Sequence, residues 1–252
     1  QFNLAAGEKS QQLHANQQGI DFFKKALQSA QMLPEGETVE KRKQIHLALG
    51  ELLISTGQYE NANQHLNEAL VLARATGDHE TEARGCRWNG RSYEVRGEFN
   101  TAIEWLERGF AALNGRPSAE EAELSLIAGL IHIRQGRFPE GWQLCERSLE
   151  VARKLSDPSI EARTYNLMGI INLREHGKTA IERFTRSLSL YEQLGDVYGQ
   201  ATSHNLIANG HFAFSELSQA EAHYRQALEM FTQIGNVYLS LIHISEPTRL
   251  RR

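Results

Sequence analysis

KQIHLALGELLISTGQYENANQHLNEALVLARATGD, residues 43–78, reads as two amphipathic helices back to back. Ile45, Leu49, Leu52 and Leu53 recur at helical spacing and put an apolar stripe on a first helix. Gly57-Gln58-Tyr59 interrupts it, glycine being the usual helix terminator. Ala62, Leu66, Ala69, Leu70 and Leu72 stripe a second helix from about Glu60 to Ala75, and Gly77-Asp78 ends it.

The two alanines seven apart in the second helix return along the whole chain. The pairs are Gly19/Ala26, Ala62/Ala69, Ala102/Gly109, Gly141/Ser148, Ala180/Ser187 and Ala220/Ala227, with steps of 43, 40, 39, 39 and 40 residues. Self-similarity at such a period marks a helical repeat array. Where two antiparallel helices cross closely, a side chain larger than alanine holds the backbones apart, so each crossing needs Gly, Ala or Ser. The first helix has its own small position twelve residues earlier: Gly7, Gly50, Gly90, Gly129 and Ala208. In the fifth hairpin it is Gly169, eleven before Ala180, which implies one residue deleted from the turn Glu175-His176-Gly177-Lys178. The other turns read Gly57-Gln58-Tyr59, Gly97-Glu98-Phe99 and Gly136-Arg137-Phe138, and their aromatics are expected to pack between the helices.

Leu49-Gly50, Gly57, Tyr59, Ala62, Leu66 and Ala69 fall where the tetratricopeptide repeat has Leu-Gly, the Gly-x-aromatic turn and the Ala-x-x-x-bulky-x-x-Ala of its second helix. The chain resembles that family over about residues 3–238. The resemblance implies an all-α, right-handed superhelical solenoid of antiparallel helix pairs, with a partial repeat at 1–36 and full repeats at 43–78, 83–115, 122–156, 162–196 and 201–236. The period is nearer 40 than 34, and Gly-Asp or a similar pair closes the second helix (Gly77-Asp78, Gly195-Asp196, Gly235-Asn236). That longer form resembles the arrays of kinesin light chains and MalT-like bacterial regulators. Leu13-His14-Ala15-Asn16-Gln17-Gln18 and Gly195-Asp196-Val197-Tyr198-Gly199-Gln200-Ala201 are similar to C-terminal arrays of bacterial signalling proteins carrying an AAA or STAND ATPase or an adenylate/guanylate cyclase.

The period is expected to continue past Gly235-Asn236-Val237-Tyr238, but Leu239-Ser240-Leu241-Ile242-His243-Ile244-Ser245-Glu246-Pro247-Thr248-Arg249 follows instead. That string resembles the in-frame translation of a transposase sequencing adapter, so 239–252 is expected to be non-native. The chain also starts at Gln1 within what reads as a repeat, and a fragment open at both ends is the expectation. Arrays finish with polar capping helices; none is seen here, which implies self-association through uncapped ends.

The formal charge is −4; the tail holds Arg249, Arg251 and Arg252 against Glu246, and removing its +2 leaves −6 for the rest. Mild acidity argues against nucleic acid or an anionic membrane surface as partner. No apolar run reaches the length of a membrane span. Cys86 and Cys145 fall on packing positions, so buried free thiols and a reducing cytoplasm are expected.

Chemistry is sparse. His176-Gly177-Lys178-Thr179 ends like a phosphate-binding loop, but that loop needs a glycine where Asn172 stands and a strand ahead of it. His204 and His211 share a face, with His223 on the next helix; a metal site asks for closer ligands or a carboxylate, and these positions read as packing. Glu120-Glu121 stands at a helix start, where acids favour the dipole. No cofactor, metal site or catalytic residue is expected.

In repeats of this family the concave wall is lined by first-helix positions two, five, nine and twelve to thirteen. Here those positions yield Arg84, Arg87, Arg91, Arg134, Arg163 and Arg174, with Asn166, Asn205 and Asn209. Guanidinium forks bind carboxylates in pairs and Asn grips peptide backbone, so an acidic or C-terminal-carboxylate peptide is one expectation. The other is that these arginines pair with Glu51 or Glu94 of the protein itself. The functional expectation is a protein- or peptide-binding scaffold without catalysis of its own: the sensor or regulatory segment of a larger bacterial signalling protein, or alternatively a free-standing adaptor.

Overall fold

The computed structural model describes residues 2–12, 16–31, 35–173 and 177–234. The turn residues Arg174, Glu175 and His176, the Gly235–Tyr238 recurrence and the 239–252 tail lie outside the described residues. Every regular element among the described residues is an α-helix: α1 (Phe2–Gln12), α2 (Asn16–Gln31), α3 (Glu35–Ser55), α4 (Tyr59–Thr76), α5 (His79–Val95), α6 (Phe99–Leu113), α7 (Ala119–Arg134), α8 (Phe138–Leu155), α9 (Pro158–Asn172), α10 (Gly177–Leu194), α11 (Val197–Ala213) and α12 (Leu217–Gln233). The chain divides into an N-terminal unit, residues 1–127, and a C-terminal unit, 128–252, the division falling within α7. In the N-terminal unit α1 packs on α2, α3 on α4 and α5 on α6, and each hairpin packs on the next through α2 against α3 and α4 against α5. In the C-terminal unit α9/α10 and α11/α12 repeat that pattern, with α8 against α9 and α10 against α11. Each unit is thus a solenoid of helical hairpins, as the period implies.

The joints explain the period. Inside a hairpin the first helix ends with a glycine in left-handed conformation: Gly57 at φ 76°, Gly97 at 79° and Gly136 at 76°. The N–H of Gly57 donates to the carbonyl of Ile54 and that of Gln58 to Leu53, a double closure that Gly97/Glu98 and Gly136/Arg137 repeat. Ser215, at φ 62°, does the same work in the last hairpin, so the turn tolerates a non-glycine there.

Three of the joints between hairpins are shorter still, whereas α6 and α7 are joined by the longer segment 114–118. Gly77 and Gly195 (φ 65° and 66°), and Ser156 (φ 53°), close a second helix in the same manner, and the next residue is Asp78, Asp196 or Asp157. That aspartate's backbone N–H completes the closure behind it, donating to Ala73, Tyr191 or Ala152. Its side chain caps the helix ahead: Asp78 accepts from the Thr81 N–H at 3.0 Å, Asp157 from Ser159 and Ile160 at 3.0 Å each, Asp196 from Gly199 at 2.9 Å. Such a cap is worth about 1 kcal/mol. The sequence suggests only that Gly-Asp ends a helix; its acid also begins the next one. Arg74 to Glu82 at 2.6 Å and Arg153 to Glu161 at 3.4 Å straddle two of these joints.

The small residues sit at the crossings. Ala62, Ala69, Ala102, Ser148, Ala180 and Ser187 are fully buried. The first-helix glycine makes room for a bulky residue four past the first small residue of the second helix. A Cβ on Gly90 would lie 2.8 Å from Leu106, one on Gly7 2.8 Å from the Phe23 ring, and Leu66 and Phe184 crowd Gly50 and Gly169 in the same way. In α7/α8 that bulky position is Cys145, and Gly129 instead faces the backbone carbonyl of Gly141, 3.4 Å from where its Cβ would be. Where the second small residue is serine, its hydroxyl is satisfied by the next hairpin: Ser148 with Thr164 at 3.1 Å, Ser187 with Ser203 at 3.2 Å.

Candidate functional site

The α5 arginines pair with the protein's own carboxylates. Arg84 Nε donates to Glu120 Oε1 at 2.6 Å and Arg87 Nε to Glu120 Oε2 at 2.7 Å, with Glu123 of the next turn 3.9 Å from Arg87. Glu120 is buried, which by itself raises a carboxyl; Arg87 and Arg84 outweigh that and hold it below its ordinary value. Glu120 therefore does more than favour a helix dipole. It ties α7 to α5, and its partners lie 36 and 33 residues back, one repeat away. Arg91 pairs within its own helix to Glu94, whose side chain is fully buried. Glu51, the other partner considered, bears on Arg84 electrostatically.

Arg87, Asn166 and Asn205 occupy one repeat position and are 9%, 8% and 5% exposed. This row faces the packing between hairpins. Asn166 Nδ2 donates to Ser203 Oγ at 3.3 Å. Asn209, half-buried on α11, accepts from the Tyr224 hydroxyl at 2.6 Å. Arg134 and Arg163, on α7 and α9 of the C-terminal unit, are exposed. The structure brings Arg84 and Arg87 together on Glu120, and Asn166 together with Ser203 and Ser187.

The N-terminal unit contains a cleft of about 500 Å³. From α3 it takes Gln44, Leu47 and Glu51, the repeat positions that Arg84, Arg87 and Arg91 hold in α5; from α5 it takes Glu80, Arg84 and Trp88. Reading the same positions one repeat earlier would have found the α3 contribution, which a search for Arg and Asn alone passes over. At one edge buried Lys43 binds Asp78 at 2.6 Å and Glu40 at 2.7 Å, both lining residues. Burial alone would raise the Asp78 carboxyl, but Lys43 and the Thr81 N–H bring it down to about 2. The Trp88 indole carries the Arg87 guanidinium 4.8 Å from its ring.

Two histidine pairs occupy equivalent places in separate hairpins. His46 and His65 join α3 to α4 through Nδ1 atoms 3.1 Å apart; His204 and His223 join α11 to α12 at 2.9 Å. An Nδ1–Nδ1 contact needs one donor and one acceptor, so a pair holds a single proton between those atoms. His211 stacks on His223 and contacts Glu216 at 2.5 Å. Burial first, then His65 and Arg42, pushes His46 down to about 4; burial also lowers His65, His204 and His223. A lowered base binds fewer protons folded than unfolded, so stability is complete above about pH 6.5 and falls as the pH drops towards 4. Asp78 and Glu120, whose values are depressed, withdraw their stabilisation only at still lower pH. The melting temperature is expected to fall between pH 6.5 and 4.5, and His46→Asn with His204→Asn to flatten that limb. An unchanged slope in the variant would assign the loss to other groups.

No group of three His, Cys, Asp or Glu among the described residues is arranged to hold a metal ion. Cys86 and Cys145 are buried free thiols, and burial pushes them up to about 11 and about 12. No described helix is long and apolar enough to cross a membrane.

Residues 120–193 match the tetratricopeptide repeat family model. No curated protein sequence matches the chain. Among solved structures, a STAND signal-transduction ATPase with a tetratricopeptide repeat sensor from Pyrococcus horikoshii superposes at TM-score 0.69 and 16% identity, over 90% of this chain and 34% of that one. A kinesin light chain with nearly identical TPR-like repeats from Podospora anserina gives 0.56 at 13% identity, covering 80% of this chain and 98% of that one. A Rap conjugation gene regulator of plasmid pLS20, in complex with the Phr* peptide, gives 0.59 at 18% identity, covering 95% of this chain and 75% of that one. The described chain has the fold of a tetratricopeptide-repeat array, and its residues 120–193 carry the sequence signature of that repeat as well.

Proposed function

We propose that this chain is a protein- or peptide-binding scaffold with no catalysis of its own, serving as the sensor or regulatory segment of a larger bacterial signalling protein in the cytoplasm. The observation that carries the reading is the cleft of the N-terminal unit, formed where first-helix faces of successive hairpins meet. Pockets of this size are large enough for a short run of side chains. Two of the similar structures support it: one is a repeat sensor within a signalling ATPase, the other a regulator holding a peptide. Arg134 and Arg163 are exposed and, although each already has a partner within the protein, are further candidates for contacts to acidic or C-terminal-carboxylate groups. Arg84, Arg87 and Arg91 act mainly on the protein's own carboxylates.

The test is to select a random dodecapeptide phage library on the full chain and measure the selected peptides by fluorescence anisotropy. Micromolar binding is expected, and Gln44→Trp, an exposed cleft position on α3, is expected to block it. Peptides that bind equally well to the Gln44→Trp variant would remove the cleft from the reading, and an empty selection would remove peptide binding. For the signalling role, an in-frame nucleotide-binding loop in genomic sequence upstream of Gln1 is the expected finding; a start codon there would favour an adaptor.

A further inference from the structure

We infer that the cleft of the N-terminal unit takes a cationic side chain, Lys or Arg, of its peptide ligand, seated beside Trp88; this rests on the reading of the chain as peptide-binding. The cleft is lined by four carboxylates, Glu40, Glu51, Asp78 and Glu80, against one guanidinium, Arg84. Counting what lies just behind the wall does not reverse that balance. Lys43 is held by Glu40 and Asp78 together, and Arg84 gives its Nε to Glu120, a further carboxylate that Arg87 shares. Among the described residues, the lining and its ion-pair partners hold six acids, with Glu123 beside Arg87 as the sixth, against three bases, and an incoming carboxylate meets a field of its own sign.

A cation meets the opposite. Glu51 and Glu80 both act on Arg84 electrostatically, so they bear on the same part of the cleft and would bear on a ligand's charge placed beside it. The half-buried indole of Trp88 provides an aromatic wall suited to a guanidinium or an ammonium stem, and it carries Arg87 in just that way. Leu47 and Phe23 complete the lining with apolar surface for a neighbouring side chain. The volume exceeds what one lysine or arginine fills, so the fitting motif is a basic residue next to an apolar one.

The dodecapeptides selected above are the probe. Enrichment in Lys or Arg is expected, with about tenfold weaker binding when that residue is replaced by norleucine or glutamine, and again with Glu51→Gln/Glu80→Gln protein. Affinity should also fall as salt rises from about 50 mM to about 500 mM, because the attraction is screened. The amide substitutions preserve shape, and circular dichroism checks that the variant keeps its helices; the salt series and the substituted peptides need only the unaltered chain. Acidic or neutral peptides whose binding ignores both salt and the double variant would overturn the cationic site while leaving peptide binding intact. Basic peptides indifferent to the double variant would place their charge elsewhere and overturn it too. An empty selection overturns both this inference and the reading beneath it.

Discussion

Arg91→Leu is expected to destabilise the α5/α6 hairpin by about 3–5 kcal/mol, because it strips the guanidinium from a carboxylate that has no access to water. Glu94 occupies a row that other hairpins fill with Ile54, Ile133, Leu173 and Phe212, and Arg91 one that α7 and α9 fill with Leu130 and Ile170. The ion pair therefore stands where α7 and α9 use an apolar pair and where α3 and α11 place a polar residue beside an apolar one, Glu51/Ile54 and Asn209/Phe212. Arg91→Leu/Glu94→Ile, which copies Leu130/Ile133, is expected to match or exceed the original stability, since a buried pair often breaks even against well-packed hydrophobes. A repeat array opens in parts, so the readout is amide exchange across α5 and α6 alongside the urea midpoint. If the single and the double variant lose the same amount, the pair does not act as a unit.

Phe184→Ala should cost a similar 3–5 kcal/mol in the C-terminal unit. The ring is fully buried among Ala180, Leu188 and Ile207, and it fills the space over Gly169. Phe184→Leu installs the residue found at this position in α4 and α6, Leu66 and Leu106, and should lose only roughly 1–2 kcal/mol in transfer free energy. Gly169→Ala overpacks the original crossing, and its cost should shrink in the Phe184→Leu background, a coupling that a double-mutant cycle measures. Strict additivity would mean that the glycine and the ring do not share the space.

Hairpins, turns and crossing points are legible in the sequence because they depend on neighbours close in the chain. Gly57, Gly97 and Gly136 announce turns since a left-handed residue favours glycine, and Ala62 with Ala69 announces a crossing since two backbones must approach. α3 nonetheless begins at Glu35, eight residues before the repeat boundary read at Lys43, because the one helix breaker in 35–42, Gly36, falls in the first turn, where it is tolerated. The site is less legible. Whether Arg84 and Arg87 face a ligand or Glu120 depends on a packing angle one repeat away, which spacing within a helix does not encode. The same limit hides the histidine pairs, whose members lie 19 residues apart on facing helices and show their meaning only once the ring nitrogens meet.

The Gly-Asp joint bears on how such a chain lengthens. Since the aspartate completes one helix with its backbone and starts the next with its side chain, a segment running from one joint to the next carries a full set of end groups. Copying or excising such a segment of about 40 residues leaves no backbone donor or acceptor stranded at the seam. Duplication and loss of whole segments are then the changes in length that this architecture accommodates most readily, whereas one residue added within the joint would part the two functions of the aspartate.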